Sequence, residues 1–146
     1  MERCDSLSGF TLVHSIGGGT GSGLGTLLLE CLREEFPSVI SSAISIVPCK
    51  TADSHAPEPY NVVLCMNYLI ENTDMTILLD NAKLADIIGG LSLPEMNKLA
   101  AASICCLTAS IRFPGYLNTD LRRLASNMVP FQRVNVVVPS FVHGPG

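Results

Sequence analysis

Gly17-Gly18-Gly19-Thr20-Gly21-Ser22-Gly23-Leu24-Gly25 decides the reading of this chain. Six of the 12 glycines fall in these positions. Before them runs Phe10-Thr11-Leu12-Val13-His14-Ser15-Ile16, an apolar stretch that predicts a strand over 10–16. After them, the periodic segment Leu24 to Phe36 predicts a helix closed by Pro37. A strand, a glycine-rich turn and a helix start make an anion cradle. Backbone without side chains lets N–H groups approach an oxyanion closely. Unpaired N–H groups at the positive end of a helix dipole then favour phosphate. Gly17, Gly18, Gly19, Gly21 and Gly23 supply that backbone, and the hydroxyls of Thr20 and Ser22 add donors with little bulk. Glycine content alone is weak evidence, since such a loop is also read as a tight turn without a ligand. The turn is neither of the two common nucleotide loops. Walker A requires Lys after its last Gly, where Leu24 stands, and no frame supplies the glycine offsets of the dinucleotide fingerprint.

Outward from this turn, elements alternate. Residues 43–48 read as a buried parallel strand, followed by a polar loop from Cys49 to Pro57. A helix over 58–71 has Pro59 in its first turn, and residues 75–79 form the next strand. Asp80-Asn81 caps a short helix, 82–88, that Gly89-Gly90 ends. Ser92 to Glu95 has the pattern of a capping box at the head of a helix over about 95–110. That helix is apolar almost all round, which predicts burial on most sides. A loop from Arg112 to Leu117, a helix over 119–127, a break at Pro130 and a strand over 133–138 complete the pattern. Strand–helix alternation predicts an α/β fold with a parallel sheet. Ligands of such sheets sit at the carboxyl ends of the strands. The glycine turn, the 49–57 loop and Asp80-Asn81 gather there.

The 146 residues suffice for one modest domain, and 47% are apolar. No apolar run approaches the length of a membrane span, and no basic, apolar leader opens the chain. Net charge is −4, with nine scattered Lys and Arg, which argues against a nucleic-acid surface. The six Cys form no C-x-x-C and mostly lie in apolar segments, so they read as reduced core thiols of a cytosolic protein. His14, His55 and His143 are too dispersed for a metal site, and satisfied structural or surface histidines are the plainer reading.

The ordered string from Gly17 to Gly23 resembles the signature of the tubulin family, whose members hold guanine-nucleotide phosphates with this loop. Further strings resemble β-tubulins in the same order: Cys4-Asp5-Ser6-Leu7-Ser8-Gly9-Phe10, Arg33-Glu34-Glu35-Phe36-Pro37, Glu58-Pro59-Tyr60-Asn61, Glu71-Asn72-Thr73-Asp74, Arg112-Phe113-Pro114-Gly115 and Asn127-Met128-Val129-Pro130-Phe131. The resemblance implies a parallel-sheet, Rossmann-like piece of the tubulin GTPase domain, matching the middle third of the family's chain and without its amino-terminal strands. It divides the sequence into a partial nucleotide-binding α/β region (1–90), a central core helix (91–112), and an interface loop, helix and first strand of a second domain (113–146). After Phe141 the sequence leaves the family pattern. A sheet without its amino-terminal strands would expose an apolar edge, and the expectation is marginal stability.

Residue by residue, the resemblance implies phosphate contacts from Ser15, Gly17, Gly18, Gly19, Thr20, Gly21, Ser22 and Gly23. It puts Glu58 at the ribose, where position alone equally allows a first-turn acid stabilised by the helix dipole. Asn81 and Asn97 fall where guanine is read, since an amide offers both donor and acceptor; capping is the alternative for Asn81, and a plain first-turn position for Asn97. Asn118, Asp120 and Arg123 fall at the contact with the next subunit. An acid of the α-tubulin type is replaced there by Arg123, whose guanidinium cannot accept a proton. The chain would therefore not trigger hydrolysis in a neighbour, and alone it would be catalytically incompetent although the family is a GTPase. Two departures bear on guanine. The segment between Asn81 and Asn97 is a few residues shorter than in β-tubulins, and Leu93 stands where the family stacks a Tyr on the base. Asp53-Ser54-His55 only approximates the ribose loop.

The implied function is a GTP-binding structural component of microtubules that assembles with α-tubulin and other tubulin subunits in the cytoplasmic cytoskeleton. The implied ligands are GTP or GDP with Mg²⁺, whose usual contacts lie outside this chain. The alternative is a truncated, non-polymerising fragment with weak or no nucleotide binding, acting as an interaction module or an inert relic.

Overall fold

Ser41, Ser42, Ala43, Ile44 and Ser45 are all buried, although their side chains alternate between the two faces of a sheet. Small residues on a strand covered on both faces define a central position. The computed structural model describes residues 7–49, 55–113, 115–116, 119–131 and 133–140. In it, β2 (Ile40–Val47) lies between β1 (Gly9–Ser15) and β3 (Met75–Asp80), and a two-residue β4 (Val136–Val137) follows β3. All neighbours are parallel, with Leu12 opposite Ala43 and Ile44 opposite Ile77. The α/β class and the parallel sheet follow the sequence expectation.

Alternation along the strands builds two cores. Ala43 joins Ile16 with Leu29 of α1 (Gly25–Glu35) and Cys65 and Leu69 of α2 (Glu58–Asn72). Ile44, Met75, Ile77 and Leu79 point the other way. They meet Leu84 of α3 (Asn81–Ile88), Met96 and Ala100 of α4 (Leu93–Arg112), and Ala125 of α5 (Leu121–Met128). Each crossover therefore leaves a carboxyl strand end and returns through a helix. At the amino ends, Asp74 accepts from the Ser41 N–H at 2.9 Å and pairs with Arg33 at 3.3 Å, tying α1, β2 and β3 together.

Several expectations are corrected. The helix after the glycine turn does not start at Leu24. Helical backbone begins at Thr20 as a π turn over Thr20–Leu24, so the loop itself is half helix. The Ser92–Glu95 capping box does not form: Ser92 makes no side-chain cap bond. Burial of α4 on most sides also fails. The stripe of Met96, Leu99, Ala100, Ser103, Ile104 and Leu107 packs inward, at helical spacing, while Asn97, Ala101, Ala102, Cys105 and Cys106 are exposed. The thiols are not mostly core: Cys65 is buried, Cys49 is half-buried, and Cys31, Cys105 and Cys106 are exposed. Cys4 lies outside the described residues. The helix expected at 119–127 begins at Leu121 with Asp120 as its N-cap, and Asn118 lies outside the described residues.

The strand expected at 133–138 shrinks to two residues. Arg133 takes φ 74, a left-handed conformation that breaks extended pairing. The Asn135 side-chain amide donates to the Thr73 carbonyl at 2.6 Å while its backbone carbonyl accepts from the Thr76 N–H at 2.7 Å, anchoring the start of β3. As expected, β1 is an edge strand among the described residues, with Val13 58% exposed on its uncovered face.

Candidate functional site

Seven consecutive carbonyls, from Gly17 to Gly23, each accept a hydrogen bond from the protein. The Asn61 amide donates to Gly17 at 3.1 Å. The Ser22 hydroxyl donates to Gly18 at 2.6 Å and, more weakly, to Gly19 at 3.4 Å. The Gly25 N–H serves Thr20 and Ser22. His14 Nδ1 donates to Gly21 at 2.8 Å. Thr26 Oγ1 donates to Ser22 at 2.6 Å and to Gly23 at 3.0 Å. A peptide whose carbonyl is held inward turns its N–H away from those tethers. Among the described residues, the N–H groups of Gly18 and Gly19 have no acceptor, and both residues are exposed. A Cβ added at either would meet nothing within 4 Å. At Gly21 it would sit inside the van der Waals shell of the Ser15 carbonyl oxygen, so only glycine lets the turn close on the strand end.

The turn lies at the carboxyl end of the sheet, where Gly17 abuts Pro48 just past β2. Ser15, the last residue of β1, is exposed beside it. Of the two hydroxyls singled out by sequence, Thr20 is exposed without a partner among the described residues, whereas Ser22 is buried and its hydrogen is committed to Gly18. Ser22 braces the turn rather than offering a donor outward. Asn61 brings the amino end of α2 against the turn, and Glu58 stands one turn earlier on that helix. Glu58 is half-buried and its carboxylate has no partner among the described residues. Its ribose-loop neighbours Asp53 and Ser54 lie outside the described residues, and His55 accepts from the Glu58 N–H at 3.0 Å.

Asp80 ends β3 and caps α3, its Oδ1 accepting from the Ala82 N–H at 2.8 Å. Asn81 follows, half-buried, its amide without a partner among the described residues. It is two strand spacings from β1, about 10 Å. Asn97 is exposed near the start of α4, which packs on α3. Leu93, the first residue of α4, is 64% exposed. Asp120 and Arg123 lie on the exposed side of α5, remote in sequence from the turn. The structure thus brings together the turn, Glu58 and Asn81 at one sheet edge, and leaves the Asn97 and Leu93 side chains open to solvent.

Sequence reasoning missed His14, Asn61 and Thr26 as parts of this site. For His14 a signal was available: it alternates with Leu12 on the strand face that covers α1. Its ring is buried, with Nε2 2.9 Å from Ser45 Oγ. Burial lowers its pKa below the ordinary value and outweighs the opposing bond to Gly21. Burial also pushes the Cys65 thiol up to about 11, which keeps it protonated and inert. No group of three His, Cys, Asp or Glu capable of holding a metal occurs among the described residues, and no helix of the described residues is long and apolar enough to cross a membrane.

Residues 1–89 match the model of the Tubulin/FtsZ family, GTPase domain. The chain belongs to that family. It is 47% identical over 146 residues to the Tubulin beta-6 chain of Gallus gallus, covering 96% of this chain and 33% of the relative. It is 48% identical to the Tubulin beta-3 chain of Echinococcus multilocularis, with the same coverage. This tubulin-family chain therefore spans about a third of the length of the curated relatives it matches. The parallel sheet, with a glycine turn at its carboxyl edge, is an α/β architecture consistent with a piece of a GTPase domain.

Proposed function

We propose that this chain is a guanine-nucleotide-binding tubulin polypeptide that associates with other tubulin subunits. The observation that carries this reading is the orientation of the Gly17–Gly23 backbone, carbonyls tethered inward and the Gly18 and Gly19 N–H groups free and open. Preorganised donors of this kind suit a polyphosphate, because no reorganisation is required when the anion arrives. In this reading Gly18, Gly19, Thr20 and Gly21 hold phosphate from the turn, with Ser15 beside it. Gly17, Ser22 and Gly23 carry the tethers, Glu58 takes the ribose hydroxyls, and Asn81 and Asn97 read guanine. Mg²⁺ accompanies the nucleotide, held by groups outside this chain. The partners are α-tubulin and further tubulin subunits, met through Asn118, Asp120 and Arg123, and the setting is the microtubule cytoskeleton of the cytoplasm. Arg123 supplies no proton acceptor, so the chain does not trigger hydrolysis in its neighbour. Calorimetry of the purified chain with GTP and with ATP tests this reading. Micromolar binding of GTP, weaker for ATP, is expected; equal affinities, or no heat from folded protein, would remove it.

One observation favours a second reading, a non-polymerising chain with weak nucleotide binding. Leu93 exposes an apolar side chain, 64% accessible, where the resemblance stacks guanine on an aromatic ring. Aromatic stacking contributes about 1–3 kcal/mol per base in nucleic-acid sites. Micromolar GTP with intact base selectivity discards this second reading.

A further inference from the structure

The π turn has an identifiable cause. In an α-helix the Gly25 N–H would bond the carbonyl four residues back, which is that of Gly21. It instead bonds Thr20, five residues back, and Ser22, three back. The skipped carbonyl is the one that His14 Nδ1 reaches at 2.8 Å. A carbonyl only accepts, so Nδ1 carries the proton. The neutral ring then accepts at Nε2 from the Ser45 hydroxyl, 2.9 Å away. Ser45 is fully buried on central strand β2, so the ring is braced from behind. Glycine at 25 lets the helix approach: a Cβ there would meet Nδ1 at 3.2 Å. π turns are rare and concentrate at functional sites.

We propose that His14 is a positioning residue of the anion site: by capturing the Gly21 carbonyl it diverts the Gly25 N–H to Thr20, and so widens the first helical turn that sets the direction of the loop's N–H groups. The role rests on the nucleotide reading for its ligand, but the diversion itself is a property of the free chain. It also explains how three glycines at 21, 23 and 25 stay helical against their low propensity, a cost of about 1 kcal/mol each relative to alanine. The turn is held by side-chain tethers rather than by its own composition.

The test uses the full chain labelled with ¹⁵N, and GDP as the probe. Imidazole ¹⁵N shifts are expected to show protonated Nδ1 and unprotonated Nε2 for His14 at neutral pH. His14→Asn places an amide N–H near the Nδ1 position, and is expected to keep the Gly25 amide shift and bind GDP within about threefold of the natural chain. His14→Gln and His14→Phe leave the Gly21 carbonyl without its donor. Both should move the Gly25 amide shift towards an α-helical value and weaken GDP about tenfold. A protonated Nε2 in the natural chain, or an unchanged Gly25 amide with unchanged GDP affinity in His14→Gln, overturns the proposal. If His14→Phe fails to fold, the natural spectrum and the Asn/Gln pair decide. A folded natural chain that binds no GDP overturns the nucleotide reading instead, and with it the ligand half of the proposal, while the shifts still decide the origin of the turn.

Discussion

The two ends of the candidate site are built in opposite ways. At the phosphate end, donors from β1, α1, α2 and Ser22 of the turn itself hold seven successive carbonyls, and the backbone geometry is determined before any ligand arrives. At the base end, Asn81 and Asn97 have amides without a partner among the described residues, and Leu93 is an exposed apolar residue. Preorganisation raises affinity by removing ordering costs. In the proposed reading the phosphate grip is supplied by this segment itself, and the base grip is not. Affinity of the chain should follow the phosphates, and base selectivity should be its weak point.

Gly21→Ala attacks the determined end most severely. Its Cβ would meet the Ser15 carbonyl, backbone against backbone, with nothing flexible to yield. A loss of about 2–4 kcal/mol in urea melting is expected. Gly18→Ala and Gly19→Ala, with open space around them, should cost under about 0.5 kcal/mol in stability yet weaken GDP. Equal stability losses at all three positions would break the comparison.

Leu93→Tyr sharpens it from the other side. An aromatic ring at the exposed head of α4 should tighten GDP by about fivefold, the lower end of the stacking range, without changing affinity for inorganic pyrophosphate. Tightening of both ligands would mean that Leu93 acts through the fold rather than on the base.

Protonation separates the two ends by pH. Burial holds His14 below the ordinary histidine value of 6.5, so the folded chain binds fewer protons there than the unfolded chain. Its contribution to stability is complete above 6.5 and is lost as pH falls from there through the lower folded value. Urea midpoints should decline over that window in the natural chain, and less steeply in His14→Asn.

The smallest effects concern the caps at the base end. Asp80→Ala removes the bond to the Ala82 N–H and should cost about 1 kcal/mol. Ser92→Ala removes no cap bond and should stay within about 0.5 kcal/mol. Equal effects would contradict the contrast between α3 and α4.

Much of the fold was legible because its signals are local. Strand 10–16, the Pro59 helix start and the Asp80 cap depend on neighbours a few residues apart, and each lies within about two residues of its expected place. What stayed hidden depends on distant partners. Glycine, serine and threonine predict a turn, but not the side chains from outside it, His14 on β1 and Asn61 on α2, that help hold its carbonyls inward. Burial of α4 was overestimated because composition counts apolar residues without saying what covers them: Ala101, Ala102, Cys105 and Cys106 face solvent in this chain. The strand at 133–138 was overestimated because the left-handed Arg133 and the backward reach of Asn135 leave no mark on hydrophobic pattern. Ser22 was legible as part of the site but not in its direction, since a hydroxyl serves equally as outward donor or inward brace.

The central claim is that the Gly18–Gly21 backbone receives the phosphates of a guanine nucleotide. Amide NMR of the ¹⁵N-labelled chain titrated with GDP tests it most directly. The account predicts the largest shift changes at Gly18, Gly19 and Thr20, reproduced by pyrophosphate, with smaller changes at Asn81. Saturable changes centred elsewhere, or a folded spectrum that GDP leaves unmoved, would contradict it.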